Sequence, residues 1–289
     1  MEPIFDTTSL LAHKRRALRL ADASAGFLMQ RAGEDLFDRL AAVERTFQHP
    51  AALFSTTPDA AAVLASSGKA ATPVRIEWDA TLLDTGGLVA KGEILPLEPE
   101  SIDLAVSLYG LQEINDVPGM LIQIRRALKP DGLLLGCMAG TGTLTELRES
   151  LLAAETELYG GASPRVFPFA DVRDAGALLQ RAGFALPVAD VETVTVRYDS
   201  MFGLMRDLRA MGETNALVAR SRKPASRALF MRAAEIYAER FADPDGRVRA
   251  TFSTIWLSGW APHESQQKAA KRGSASVSLA KILGEESGS

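Results

Sequence analysis

The stretch whose reading decides the fold runs Ser101-Ile-Asp-Leu-Ala-Val-Ser-Leu108, Asp116-Val-Pro-Gly-Met-Leu-Ile-Gln-Ile124, Lys129-Pro-Asp-Gly132 and Leu133-Leu-Leu-Gly-Cys-Met138. Ile102 to Leu108 is apolar enough to be a strand covered on both faces. Asp116-Val117-Pro118 then opens a helix, because Val117, Met120, Leu121, Ile124 and Leu128 recur at helical spacing. Lys129-Pro130-Asp131-Gly132 is a turn by composition, and Leu133 to Met138 is the next strand. A strand, a crossover helix and a second strand form the unit of a parallel sheet.

The same rhythm extends in both directions. Upstream, Ala51 to Ser55, Val74 to Asp79 and a weaker run from Gly87 to Lys91 read as strands. Between the first two, Thr57 caps a helix that begins at Pro58 and stops at Gly68. Downstream, Thr143-Leu-Thr-Glu146 has the capping-box spacing ahead of Leu147, Leu151 and Leu158. Further helices are expected at 170–182, 200–211 and 225–241, with late strands at Val191 to Tyr198 and Arg249 to Trp260. The expected fold is therefore α/β, a doubly wound, seven-stranded, mostly parallel sheet with added N-terminal and C-terminal helices. Residues 1–48 read as a helical cover over the sheet's edge or the site. Residues 49–283 read as one domain with helical substrate-side insertions over 142–245, and 284–289 as a disordered tail.

Composition narrows the function classes. The chain has 289 residues, 47% hydrophobic and 24% charged, enough for a large core and inconsistent with disorder. Its net charge of -4 gives no overall field to hold nucleic acid or an acidic membrane. A single cysteine, Cys137, leaves no internal disulfide and no cysteine-based zinc site, which fits a reducing compartment. The longest apolar stretch is too short to span a bilayer, and the N-terminus lacks a secretory pattern, so a cytoplasmic protein is expected.

In a doubly wound sheet the ligand sits beyond the carboxyl ends of the strands, where the first strand-to-helix turn carries glycines. Here that turn is Phe54-Ser55-Thr56-Thr57-Pro58, with no glycine. Three hydroxyls could replace some of the lost hydrogen bonds, and both a reshaped pocket and a filled one are open. Glu77 and Asp79 end the second strand where an acid would accept ribose hydroxyls, and Asp79 is the preferred candidate. Glu213 before Asn215 and Glu264 beside His263 are candidates for gripping a guanidinium, since paired carboxylate oxygens match its fork. For Glu213 and Asn215 the alternative is that they end a helix and satisfy backbone groups. Histidines occur only at 13, 49 and 263, with no metal-ligand spacing among them, so no metal is expected.

Leu95-Pro-Leu97, Ser101 to Ser107, Asn115-Asp-Val-Pro118 and Leu128-Lys-Pro-Asp-Gly132 together resemble the second half of a class I, Rossmann-like S-adenosylmethionine-dependent methyltransferase domain. Further blocks extend the likeness over nearly the whole chain. They are Ile4-Phe5-Asp6, Glu155-Thr-Glu157, Gly160-Gly161-Ala-Ser-Pro164-Arg165, Met211-Gly-Glu-Thr-Asn215, Gly259-Trp-Ala-Pro-His263-Glu-Ser-Gln266 and Arg272-Gly-Ser-Ala275. These resemble the family of arginine-hydroxylating complex I assembly factors, relatives of the malonyl-carrier-protein methyltransferases.

The resemblance implies S-adenosylmethionine as cofactor, near Phe54, Ser55, Thr56, Asp79, Glu93 and Ser107. It implies a protein client, with a respiratory-chain subunit as one candidate, near Gly160, Gly161, Arg165, Glu213, Asn215, His263, Glu264, Gln266 and Arg272. It assigns no catalytic residue. The departures fall on the cofactor side: the family's D-x-G-C-G-x-G loop is replaced by Leu53 to Pro58, and its His-Trp pair after the fourth strand by Gln112-Glu113. Two functions follow, an enzyme modifying a protein side chain and a cofactor-free client-binding or assembly protein.

Overall fold

The computed structural model describes residues 2–84 and 86–266. The strands are β1 (Pro50–Leu53), β2 (Val74–Glu77), β3 (Leu88–Val89), β4 (Ile102–Leu108), β5 (Leu128–Ala139), β6 (Ala185–Tyr198) and β7 (Val248–Trp260). They form one sheet in the order β3-β2-β1-β4-β5-β7-β6. The first five pair in parallel, and β7 runs antiparallel between β5 and β6. Strand order reverses between β1 and β4, so the switch point lies beyond the carboxyl ends of those two strands.

Side-chain alternation along each strand builds a core on both faces. Ala51, Leu53 and Ala105 face α4 (Val117–Ala127) and α6 (Val172–Arg181), meeting Met120, Ile124 and Leu179. Ala52, Leu104 and Val106 face α2 (Phe27–Ala41) and α3 (Asp59–Ser66), meeting Leu36, Leu40 and Leu64. Burying each of these leucines contributes about 1.5–3 kcal/mol. A third cluster joins α5 (Thr145–Tyr159), α7 (Met201–Met211) and α8 (Arg227–Phe241) to the start of β7 through Leu204, Ile236, Tyr237 and Phe252. The first helix, α1 (Thr7–Leu20), packs against α7.

Three local expectations are corrected. The sequence Lys129 to Gly132 is not a turn between helix and strand. It is a bulge inside β5, where pairing jumps from Ile102–Leu128 to Leu104–Leu133 and Asp131 takes φ 62°. Both flanking leucines bury against β4, so the turn-forming residues bow outward without ending the strand. Thr57 does not cap α3: Pro58 holds the cap position, and the helix starts with no side-chain cap. The Thr143–Glu146 capping box is not formed either. Thr143 Oγ1 donates to Ser253 O and accepts from Ser253 N, both at 3.0 Å. Glu146 accepts from Thr251 N at 3.1 Å and from Thr251 Oγ1 at 2.5 Å. These side chains bind the start of β7, because a partly buried strand offers them donors and acceptors shielded from water.

Candidate functional site

A cleft of ≈ 370 Å³ opens at the switch point. Its floor is Ser55, Thr56 and Thr57 after β1, Tyr109 and Gln112 after β4, Ala139 at the end of β5, and Ser253 and Thr254 near the start of β7. Its roof is α1 with the turn that follows it, and α7 closes one side through Leu208 and Met211. The volume lies within the range of small-ligand pockets.

At the cleft's polar end, Lys14 reaches down from α1 between two carboxylates. Its Nζ lies 3.0 Å from Glu113 Oε2 and 2.7 Å from Glu213 Oε1. The side chains of Lys14 and Glu113 are 7% and 5% exposed, while that of Glu213 is 26% exposed. Burial, and then the charge of Glu213, push the Glu113 carboxyl up to about 8. Burial opposes the charge on Lys14, but Glu113 and Glu213 outweigh it and hold the ammonium above its ordinary range.

The cofactor end is filled by the chain itself. Phe54 and Thr56 adopt φ of 55° and 62°, a backbone shape suited to glycine. The Phe54 ring is buried and stacks on Trp78 with centroids 3.8 Å apart and planes 6° from parallel. Its carbonyl presses on Gly110, where an added Cβ would lie 2.3 Å from the oxygen. Ser55 Oγ accepts from Leu108 N and bonds Leu53 O. Thr57 N donates to Ser55 O at 2.6 Å, Thr56 N is bonded by Glu77, and Pro58 has no amide hydrogen. A nucleoside cofactor cradled by backbone amides would find these donors taken, so the loop does not fit one. Glu77 keeps capacity: it is 1% exposed, its Oε2 has no partner among the described residues, and burial pushes its carboxyl up to about 7.

The remaining sequence candidates scatter. Asp79, preferred for a ribose, caps the short turn at 80–82 and pairs with Arg15 at 2.6 Å; Glu77 is the buried acid at that strand's end. Glu93 accepts from Asn115 N and Asp116 N, fixing the approach to α4. Ser107 is fully buried, with an unpartnered Oγ among the described residues. Gly160 ends α5 at φ 70°, and Gly161 stands in open space. Arg165 is clamped on Glu155 through two bonds of 3.1 and 2.7 Å. Asn215 donates to Pro164 O, beside a second groove lined by Arg148, Phe167 and Phe169.

His263, Glu264 and Gln266 follow β7, whose Trp260 pairs with Leu133 at the amino end of β5. Because β7 is antiparallel, these three residues stand across the sheet from the cleft, and Gln266 Nε2 donates to Asp131 Oδ1. The expectation that they wall the crevice with Glu213 is thereby corrected. Arg272 lies outside the described residues. Sequence reasoning passed over Lys14, although the spacing Leu10, Lys14, Ala17 puts a cation on α1's inward face. Glu113 enters the sequence pattern only as part of the pair that replaces the family's His-Trp.

Residues 52–136 match the family described as methyltransferase domain. The arginine-hydroxylase NDUFAF5, mitochondrial, of Danio rerio is 45% identical over 196 residues, 68% of this chain and 60% of that protein. Its Homo sapiens counterpart is 44% identical over 203 residues, 70% of this chain and 58% of that protein. The malonyl-[acyl-carrier protein] O-methyltransferase of Laribacter hongkongensis is 38% identical over 170 residues, 59% of this chain and 54% of that protein. The matches thus cover little more than half of each relative's length. In fold, a putative methyltransferase from Bacillus halodurans C-125 superposes with a TM-score of 0.54 at 13% identity, over 79% of this chain and 98% of the other. The kinship is with proteins named as enzymes, and strand order and sequence agree on it: the chain is a class I methyltransferase-like protein.

Proposed function

We propose that the chain binds a protein client by a cationic side chain in the cleft, and that it does so without a nucleoside cofactor. One observation carries the reading: the Thr56 and Thr57 amides and the Ser55 hydroxyl, which line the cofactor end, already have partners in the loop and in the neighbouring strands, while Glu213 faces the cleft partly exposed. The name arginine-hydroxylase borne by the relatives agrees with a guanidinium as the bound group. A carboxylate with free lone pairs at the end of a largely apolar cleft orients such a group, and the apolar walls accept its alkyl stem. Asn115 supports the arrangement from outside, its Oδ1 accepting from Ile4 N and Phe5 N and so fixing the segment that leads into α1.

A second reading, catalysis with S-adenosylmethionine, is favoured by the unpartnered Glu77 Oε2 at the end of β2, where the fold places an acid for a ribose. Calorimetric titration with S-adenosylmethionine and S-adenosylhomocysteine separates the two. No saturable heat is expected up to about 1 mM, whereas a Kd tighter than about 100 μM, roughly -5.5 kcal/mol, would overturn the cofactor-free reading.

A further inference from the structure

We infer that Lys14 is an internal occupant of a cation site formed by Glu113 and Glu213, and that α1 is a cover released when the client's cation takes its place. The inference rests on the client reading above and adds how the site is guarded.

The first support is how little else holds α1 down. Its buried residues are Leu10, Lys14 and Ala17, so a lysine makes up a third of its inward face. Its other polar attachments include Asp6 and Ser9 with Arg220, Asp6 with Arg222, His13 Nδ1 with Thr214 O, Arg15 with Asp79 and Thr81, and Arg16 with Thr214, and none of these α1-side residues is buried. Among the described residues of α1, Lys14 is the one that pairs with the buried Glu113. A helix fixed this way depends on a buried ion cluster as well as on apolar packing.

The second support is the imbalance of the cluster. Two carboxyl groups face one ammonium, and Glu113 Oε1 is buried with no partner among the described residues. An ammonium has three donors on one atom, whereas a guanidinium presents five in a planar fork able to serve both carboxylates at once. The third is position. Lys14, Ala17, Leu18 and Ala21 all line the cleft, so displacing Lys14 and opening the roof are one movement.

The test uses the full chain, with N-acetyl-arginine amide as probe and N-acetyl-citrulline amide as the uncharged control. Lys14→Met keeps the apolar stem and removes the competing charge. The arginine probe is expected to bind this variant at least tenfold more tightly than it binds the parent, and the control to bind neither. In the parent protein, saturating probe is expected to speed amide hydrogen exchange across residues 7–20, a measurement that decides the matter even if the variant fails to fold. Equal affinity in a folded variant, or unchanged exchange in the parent at saturation, would retire the displacement alone. Failure of the arginine probe to bind either protein would retire the client reading and the displacement with it.

Discussion

Gly110 shows how tightly the cofactor end has closed. It follows Tyr109, which itself takes φ 52°, and its Cα faces the Phe54 carbonyl with no room for a methyl group. The close atoms are the carbonyl group and Cβ of Phe54, which no side-chain rotation can move aside, so Gly110→Ala is expected to destabilise the fold by roughly 2–3 kcal/mol, read as a lower urea midpoint with unchanged slope. The neighbouring Phe54–Trp78 stack contributes about 0.5–1.5 kcal/mol beyond the area it buries, which helps to hold Phe54 in its left-handed conformation. Aromatic stacking inside the chain thus occupies one flat face beside β2 that a planar ligand would otherwise meet.

At the scale of elements, α1 is tethered at its start by Asn115. The carboxamide oxygen accepts two backbone amides, at 2.7 and 2.8 Å, and its own amide group is held by Glu93 at 3.1 Å. Asn115→Ala removes the acceptor that two amides of the segment before α1 share. It is expected to cost about 1–3 kcal/mol and to show first as faster proteolysis or hydrogen exchange within residues 4–20, ahead of any change in the sheet. Equal protection in parent and variant would mean that α1 is held by its other contacts. The α5–β7 junction behaves differently. Its bonds from Glu146 and Thr143 lie within the third core cluster, so that region should remain protected in the same experiment.

For the whole molecule, buried acids set the response to pH. Glu77 has a folded pKa of about 7 against an ordinary 4.5, because burial disfavours its charge. A carboxyl raised on folding contributes stability that is complete below the unfolded value and is lost as pH rises through the folded one. Tm is therefore expected to fall between about pH 4.5 and pH 7. The shift corresponds to roughly 3 kcal/mol, and Glu113 acts in the same direction towards pH 8. Glu77→Gln should flatten the slope between pH 5 and pH 7.5; a variant with the parent's full slope would show that Glu77 is ionised without penalty. Among the described residues no helix is long and apolar enough to cross a membrane.

The amino-acid order alone determined the alternation of strands and helices from Ala51 to Met138, because apolar periodicity is local and both faces of a parallel strand must be covered. It also singled out Glu213 and the absence of glycine between Leu53 and Pro58. Only the tertiary structure decided which acids share a cavity. The antiparallel run of β7 carries Glu264 across the sheet, while the packing of α1 on α7 brings Lys14 to Glu113 and Glu213 from 99 and 199 residues away. Strand direction and helix docking are set by long-range burial, and no pattern of neighbouring residues encodes the pairing of charges that such burial brings together.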